Sequence, residues 1–223
     1  MQCWHSAWIS TISALRVACR KLPNRPRTAV AMTGEPKRDL RLRVIDARRA
    51  MTDAEREAHD ERLRTTAITW LRSRADVARL TVAGYVPMAH EPGGPELPAA
   101  LAAHIGRLLL PIWRPDNDLD WAEYDGDLAI SSRGPHEPRG ARLGVDAVVQ
   151  ADVVIVPAIA VDRQGMRLGR GGGSYDRALG RLGAESIKLA LLYPGEILTE
   201  PVPAEPHDQP VHGVIAPDRV HWL

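Results

Sequence analysis

The sequence predicts an α/β domain with a largely parallel sheet. Apolar runs of strand length alternate with stretches of helical spacing along most of the chain. The runs Leu108–Trp113 and Val153–Val156 are apolar without alternation, as expected of strands covered on both faces. No internal repeat is present.

Each element follows from local pattern. Pro36–Met51 has helical spacing, with Leu40, Val44, Ile45 and Ala47 apolar and Lys37, Arg38, Arg41 and Arg48 polar. A second helix starts at Thr52, where Thr52 and Glu55 have the spacing of a capping box, and runs to about Ser73. Leu80–Val86 reads as a strand ended by Pro87, and Pro95 or Glu96 to Ile105 as a short helix. The Leu108–Trp113 strand tolerates Pro111 only near an edge or bulge. Residues 114–141 are polar and rich in turn signals, so they read as loops with room for one short hairpin. Val153–Val156 is a buried strand, Ser174–Leu182 a helix, Lys188–Tyr193 a strand, and Val214–Ala216 the last candidate strand. Sites in such folds lie at the carboxyl ends of strands.

Composition narrows the function. With 223 residues, the chain is long enough to bury a core as one domain plus a tail. A net charge of +1 gives no global attraction to nucleic acid or an anionic membrane. No apolar run reaches bilayer-spanning length. Phenylalanine is absent, so Leu, Val, Ile, Ala and Trp must fill the core. Both cysteines, Cys3 and Cys19, lie near the start, which excludes a disulfide framework or Cys-based metal site in the main domain and makes a reducing cytoplasm the default. Residues 1–34 carry Arg16, Arg20, Lys21, Arg25 and Arg27 but no acid. They fit either a targeting peptide or a poorly ordered extension ahead of a start at Met32. The second reading is preferred, because the basic residues follow the short apolar stretch rather than precede it. Residues 35–223 then form a single domain.

The chemistry concentrates between Val153 and Arg177. A buried strand ending at Pro157 leads through Asp162 and a loop with five glycines to a helix start: Arg167-Leu168-Gly169-Arg170-Gly171-Gly172-Gly173-Ser174-Tyr175-Asp176. Glycines let several backbone N–H groups converge on one anion, and a helix start adds free N–H groups and a positive dipole end. Arg167 and Arg170 supply charge-assisted contacts to phosphate oxygens, and Asp176 can hold a metal bridging them. Ser174 suits a helix N-cap. No Gly-Lys-Ser/Thr follows and no Gly-x-Gly-x-x-Gly is present, so this is neither a Walker motif nor a dinucleotide fingerprint. A flexible loop with a capped helix is the bland alternative. The combination of two arginines, clustered glycines and an acid favours phosphate or nucleotide binding and leaves the reaction open.

At this segment the chain resembles the 5-formyltetrahydrofolate cyclo-ligases. Pro157, Asp162, Arg167-Leu168-Gly169, Gly171, Gly173 and Tyr175-Asp176-Arg177 match that family's long motif, and the similarity extends over roughly residues 36–216. The resemblance implies a three-layer α/β/α fold with a mostly parallel sheet, of the NagB/RpiA/CoA transferase-like kind. It implies that Lys37, Arg38, Asp39, Leu40 and Arg41, together with Arg167 to Tyr175, bind ATP. It places the folate at Arg41, Val86, Glu91 and Arg170 to Ser174, and Mg2+ at Asp176 and Asp208. In isolation Glu91 is an ordinary loop acid, Asp208 a turn residue beside Pro210, and the basic helix a solvated face. Glu137-Pro138 matches a family pair that shapes a loop. Ser174 stands where the family usually has a tyrosine and Val161 where it has a phenylalanine.

The implied reaction is ATP-dependent conversion of 5-formyltetrahydrofolate to 5,10-methenyltetrahydrofolate, with Arg167 and Arg170 catalytic. The partners are these small molecules, with no nucleic acid and no membrane, in a monomer or weak dimer. The alternatives are a related ATP-dependent enzyme on another substrate, or a non-catalytic nucleotide- or folate-binding protein. An RNA-binding role for the Arg-Gly loop is disfavoured by the near-neutral charge.

Overall fold

A computed structural model describes residues 37–131 and 136–223. The expectations for residues 1–34 lie outside the described residues. Helix α1 (Lys37–Ala50) and helix α2 (Asp53–Arg72) open the domain. Thr52 caps α2 with a complete capping box: the Glu55 N–H donates to its hydroxyl, and the Glu55 side chain accepts from the Thr52 N–H. Along α1 the buried stripe is Leu40, Val44 and Arg48, one residue per turn, while Ala47 is exposed. The sequence pattern groups Arg48 with the polar positions of the helix. It is buried because a carboxylate waits for it inside the domain.

Five parallel strands form the centre of a seven-stranded sheet: β1 (Thr81–Ala83), β2 (Arg107–Trp113), β6 (Val153–Pro157), β9 (Ile187–Leu191) and β11 (Gly213–Ile215). Antiparallel strands close both edges, β3 (Leu119–Glu123) beside β2 and β12 (Val220–Trp222) beside β11. The order is β12-β11-β9-β6-β1-β2-β3. Val153, Val154, Ile155 and Val156 are all buried although successive side chains point to opposite faces, so both faces of the sheet are covered. Helix α3 (Leu97–Ala102) packs with α2 and β2, and α4 (Ser174–Gly180) packs with β3 and the turn Val145–Gln150. A small sheet of β7 (Ala160–Asp162), β8 (Arg167–Leu168) and β10 (Ile197–Leu198) lies after β6, and a hairpin pairs β4 (Leu128–Ile130) with β5 (His136–Pro138).

Several expectations change. Residues 114–141 do hold the hairpin, but they also supply β3, whose Trp121 is fully buried. Val214–Ala216 marks β11, and β12 follows it as the last strand. The first strand stops at Ala83 instead of Val86, and β2 runs on without it. Tyr124 N–H donates to the Leu108 carbonyl on the β3 side, and Gly84 N–H to the Leu109 carbonyl on the β1 side. Alternation therefore aims the backbone of Pro111 and Trp113 toward the side that β1 has left. Pro111 has no N–H to orphan there, and Trp113 N–H donates to Glu137 Oε1 at 2.9 Å. Pro111 thus occupies a locally unpaired edge inside a central strand.

Candidate functional site

The chain runs β1 to β2 to β3 in one direction, then crosses back to place β6 on the other side of β1. That reversal is a topological switch point, where open α/β sheets leave a crevice at the carboxyl ends of their strands. A cavity of about 610 Å3 lies there. Tyr85 and Val86 line it from beyond β1, Pro111 and Trp113 from β2, Pro157 from the end of β6, and Ala158 and Ile159 from just after it.

The glycine-rich loop forms another wall. Gly171 and Gly173 have φ of +102° and +69°, a left-handed backbone that side chains disfavour. Gly173 is the residue preceding α4 and makes no side-chain cap; Ser174 is already helical, so the expected Ser174 N-cap is replaced by a glycine turn one residue earlier. The Ser174 hydroxyl is buried, lines the cavity and has no hydrogen-bond partner. Arg41, reaching from α1, donates from Nε to the Gly169 carbonyl at 2.8 Å and fixes the loop's first glycine.

Several charged groups of the cavity are paired with one another. Arg167 Nη2 donates to Asp176 Oδ1 at 2.8 Å, and Gln209 N–H donates to the same oxygen at 3.2 Å. Arg170 Nε donates to Glu91 Oε1 at 2.8 Å, and Met88 N–H to Glu91 Oε2 at 2.9 Å. Lys37 Nζ lies 2.9 Å from Asp208 Oδ2 and 3.4 Å from Glu205. Burial works to raise the Asp208 carboxyl. The Glu205 N–H and the Lys37 ammonium outweigh it together and hold it below the usual carboxylate range. Burial pushes the Tyr175 hydroxyl well up, and the Glu91 charge adds to this while Arg167 opposes it. Tyr175 is therefore a donor and not a base at neutral pH.

Of the residues singled out in the sequence, Lys37, Arg41, Val86, Glu91, the whole Arg167–Asp176 segment and Asp208 line this one cavity. Arg38 and Asp39 are exposed on α1 and Leu40 is buried in a satellite core with Val44 and Leu168; none of the three lines it. Asp162 serves the scaffold: Gln164 N–H and Met166 N–H donate to Oδ1 and Val202 N–H to Oδ2. Val161 belongs to the core and does not line the cavity.

The model of the 5-formyltetrahydrofolate cyclo-ligase family matches residues 33–217. This chain belongs to that family. It is 39% identical over 194 residues to the 5-formyltetrahydrofolate cyclo-ligase of Mycolicibacterium smegmatis, covering 84% of this chain and 97% of that one. A solved 5,10-methenyltetrahydrofolate synthetase from Aquifex aeolicus superposes with a TM-score of 0.66 at 28% identity, covering 84% of this chain and 92% of that one. A second, from Mycoplasma pneumoniae, gives 0.65 at 20% identity and covers 82% and 99%, a likeness of fold.

Among cyclo-ligase cavity residues in this chain, sequence reading missed Tyr85, Trp113 and His136. Tyr85 and Trp113 lie where a strand pattern ends in a bulky aromatic, a signal available but unspecific. His136 belongs to β5, whose position against β2 is set by tertiary pairing. Among the described residues no group of three or more His, Cys, Asp or Glu side chains is poised to hold a metal ion. No described helix is long and apolar enough to cross a membrane.

Proposed function

We infer that this cavity carries the family's reaction, the ATP-dependent closure of 5-formyltetrahydrofolate to 5,10-methenyltetrahydrofolate with release of ADP and phosphate. The observation that carries the reading is the Arg170–Glu91 ion pair. It joins the glycine-rich loop, suited to phosphates, to the buried acid beyond β1, suited to the polar edge of a pterin, within one cavity.

In this reading the formyl oxygen attacks the terminal phosphorus of ATP, forming an O–P bond as the bond to ADP breaks. N10 then attacks the activated formyl carbon, its C–O bond breaks, phosphate leaves, and the N10 proton is released. The protein's task is positioning and charge neutralisation. Arg170 uses Nε for Glu91, and its two terminal nitrogens have no bond among the described residues, so they can meet phosphate oxygens at the junction with the folate. The Gly169–Gly173 backbone cradles the phosphates, and Arg41 keeps that loop in place. Val86 supplies apolar contact, Glu91 orients the folate, and Tyr175 donates a proton in a hydrogen bond without losing it.

Mg2+ typically takes one or two carboxylates plus phosphate oxygens and water, where it neutralises charge on the transferring group. Asp176 and Asp208 suit that donor set: both line the cavity, and Gln209 N–H ties the Asp208 loop to Asp176. Asp176 pairs with Arg167 and Asp208 with Lys37, so each carboxylate stands beside a cation that can also meet phosphate oxygens. The protein then acts on small molecules alone, as a cytoplasmic monomer or weak dimer. Appearance of methenyltetrahydrofolate absorbance from ATP and 5-formyltetrahydrofolate tests the reading; no product at high enzyme and substrate concentration rejects it.

A further inference from the structure

The run Glu91–Gly94 has no regular secondary structure, yet all four residues are buried. Buried irregular backbone must find partners for its N–H and C=O groups, or each costs free energy. Here the partners come from one turn of α2. Asp60 Oδ1 accepts from Gly93 N–H at 2.8 Å, and Arg64 Nη1 donates to the Gly93 carbonyl at 3.0 Å. Residues four apart share a helix face, so Asp60 and Arg64 grip both polar groups of one peptide residue. The Tyr193 hydroxyl, just beyond β9, donates to the same Asp60 oxygen at 2.8 Å and lies 3.4 Å from the Glu91 carbonyl. Tyr85 donates to the Pro92 carbonyl. Gly93 itself has φ of +101°, and a Cβ there would come within 2.8 Å of Leu97, so the gripped residue must be glycine.

Asp60 is 3% exposed and continues the buried stripe of Leu63, Ala67 and Leu71. An apolar residue would serve that stripe at least as well for packing. What it could not do is hold Gly93, two residues from Glu91. Asp60 is not among the cavity's lining residues, so any effect on ligand passes through the loop. We propose that Asp60, with Arg64 and Tyr193, is a positioning residue that sets the Glu91 carboxylate for the formyl-folate. This rests on the proposed function, in which Glu91 faces the folate and the glycine loop faces ATP. The loop held by Asp60 therefore faces the folate directly and reaches ATP only at second hand, through the Arg170–Glu91 pair.

The test is steady-state kinetics on the full chain with each substrate varied in turn, for wild type, Asp60→Ala and Asp60→Asn. Displacing a positioning group by about 1 Å can cost on the order of 100-fold. Asp60→Ala should raise KM for 5-formyltetrahydrofolate by roughly tenfold or more, with KM for ATP within about twofold of wild type. Asp60→Asn keeps an oxygen that can accept the Gly93 and Tyr193 bonds and should stay within about threefold. The proposal is overturned if folded Asp60→Ala has wild-type constants, if both KM values rise together, or if Asp60→Asn is as impaired as Asp60→Ala. Should Asp60→Ala not fold, Tyr193→Phe removes only the hydroxyl and must still raise the folate KM selectively; an unchanged value overturns the proposal. If wild type itself forms no product, the proposed function fails. Titration of 5-formyltetrahydrofolate by fluorescence, with Trp113 in the cavity as reporter, then decides the inference separately: weaker binding by Asp60→Ala supports it, and equal or no binding rejects it.

Discussion

Arg48 and Glu196 meet as a two-bond ion pair inside the domain, at 2.6 Å through Nε and 2.7 Å through Nη2. Neither side chain is more than 7% exposed. Arg48 also donates to the Ala158 carbonyl at 2.8 Å, and Glu196 accepts from Tyr193 N–H at 2.9 Å. The pair therefore joins α1 to the segment beyond β6, which lines the cavity, and to the turn beyond β9. Removing one partner leaves a buried charge alone, at a cost of about 3–5 kcal/mol. Arg48→Met and Glu196→Gln should each lose on that order in urea denaturation. The double variant should cost less than their sum by over about 1 kcal/mol. Simple additivity would show that the two charges are not coupled.

Arg170 carries the junction between the two proposed half-sites. Arg170→Ala should lower kcat/KM by roughly 100- to 1,000-fold, the usual scale for losing one positioned charge donor. Its own side chain is half exposed but its partner Glu91 is buried, so the melting temperature should fall as well, by less than in the Arg48 and Glu196 variants. Arg170→Lys keeps the charge but loses the fork that can hold Glu91 and a phosphate together, and should recover only part of the rate. Wild-type kinetics in Arg170→Ala would remove this residue from the mechanism.

The proposed Mg2+ site rests on the two cavity carboxylates, Asp176 and Asp208. A chelator should abolish turnover and added Mg2+ restore it. Asp208→Asn should raise the Mg2+ concentration needed for half-maximal rate by several-fold, roughly the effect of losing one charged ligand. The folate KM should change little. An unaltered Mg2+ titration in this variant would exclude Asp208 as a holder of the ion.

His212 gives the fold a pH dependence of its own. Its Nδ1 accepts from Lys188 N–H at 3.0 Å, which needs the neutral ring. Burial, with the Lys188 charge adding to it, pushes the ring below its ordinary value of 6.5. As pH falls through that value the unfolded chain takes up a proton that the folded one refuses, so stability drops, and the loss is complete below the folded value. Between about pH 7.5 and pH 5, wild type should lose more stability than His212→Asn, whose amide oxygen can accept the same bond without titrating. Equal losses would place the acid sensitivity elsewhere.

Much of the fold was legible because its signals are local. The Thr52 capping box, the apolar runs of β2 and β6, and the glycines before α4 each say what they will do without help from distant sequence. The edge strand β3 was not legible, since Asp118, Asp120 and Glu123 mask a strand that exists through pairing with β2. The site was legible where chemistry is dense, along Arg167–Asp176. The buried acid Asp60 and the buried base Arg48 were harder to see. Each sits at the next step of an apolar helical stripe, after Leu40 and Val44 in α1 and before Leu63 and Ala67 in α2. A charge at a core position is a signal, but its partner is named only by the tertiary fold: Glu196 in one case, the Gly93 backbone in the other.

The early exit of β1 after Ala83 has a mechanical meaning. Two neighbouring strands that part company leave a seam, and the cavity occupies the opened end of that seam between Val86 and Trp113. Proline at 111 and the Glu137 carboxylate under Trp113 N–H deny the seam the hydrogen bonds that would zip it shut. Binding room is thus written into the sheet as an interrupted zipper, and its width is governed by where pairing stops rather than by how large the lining side chains are.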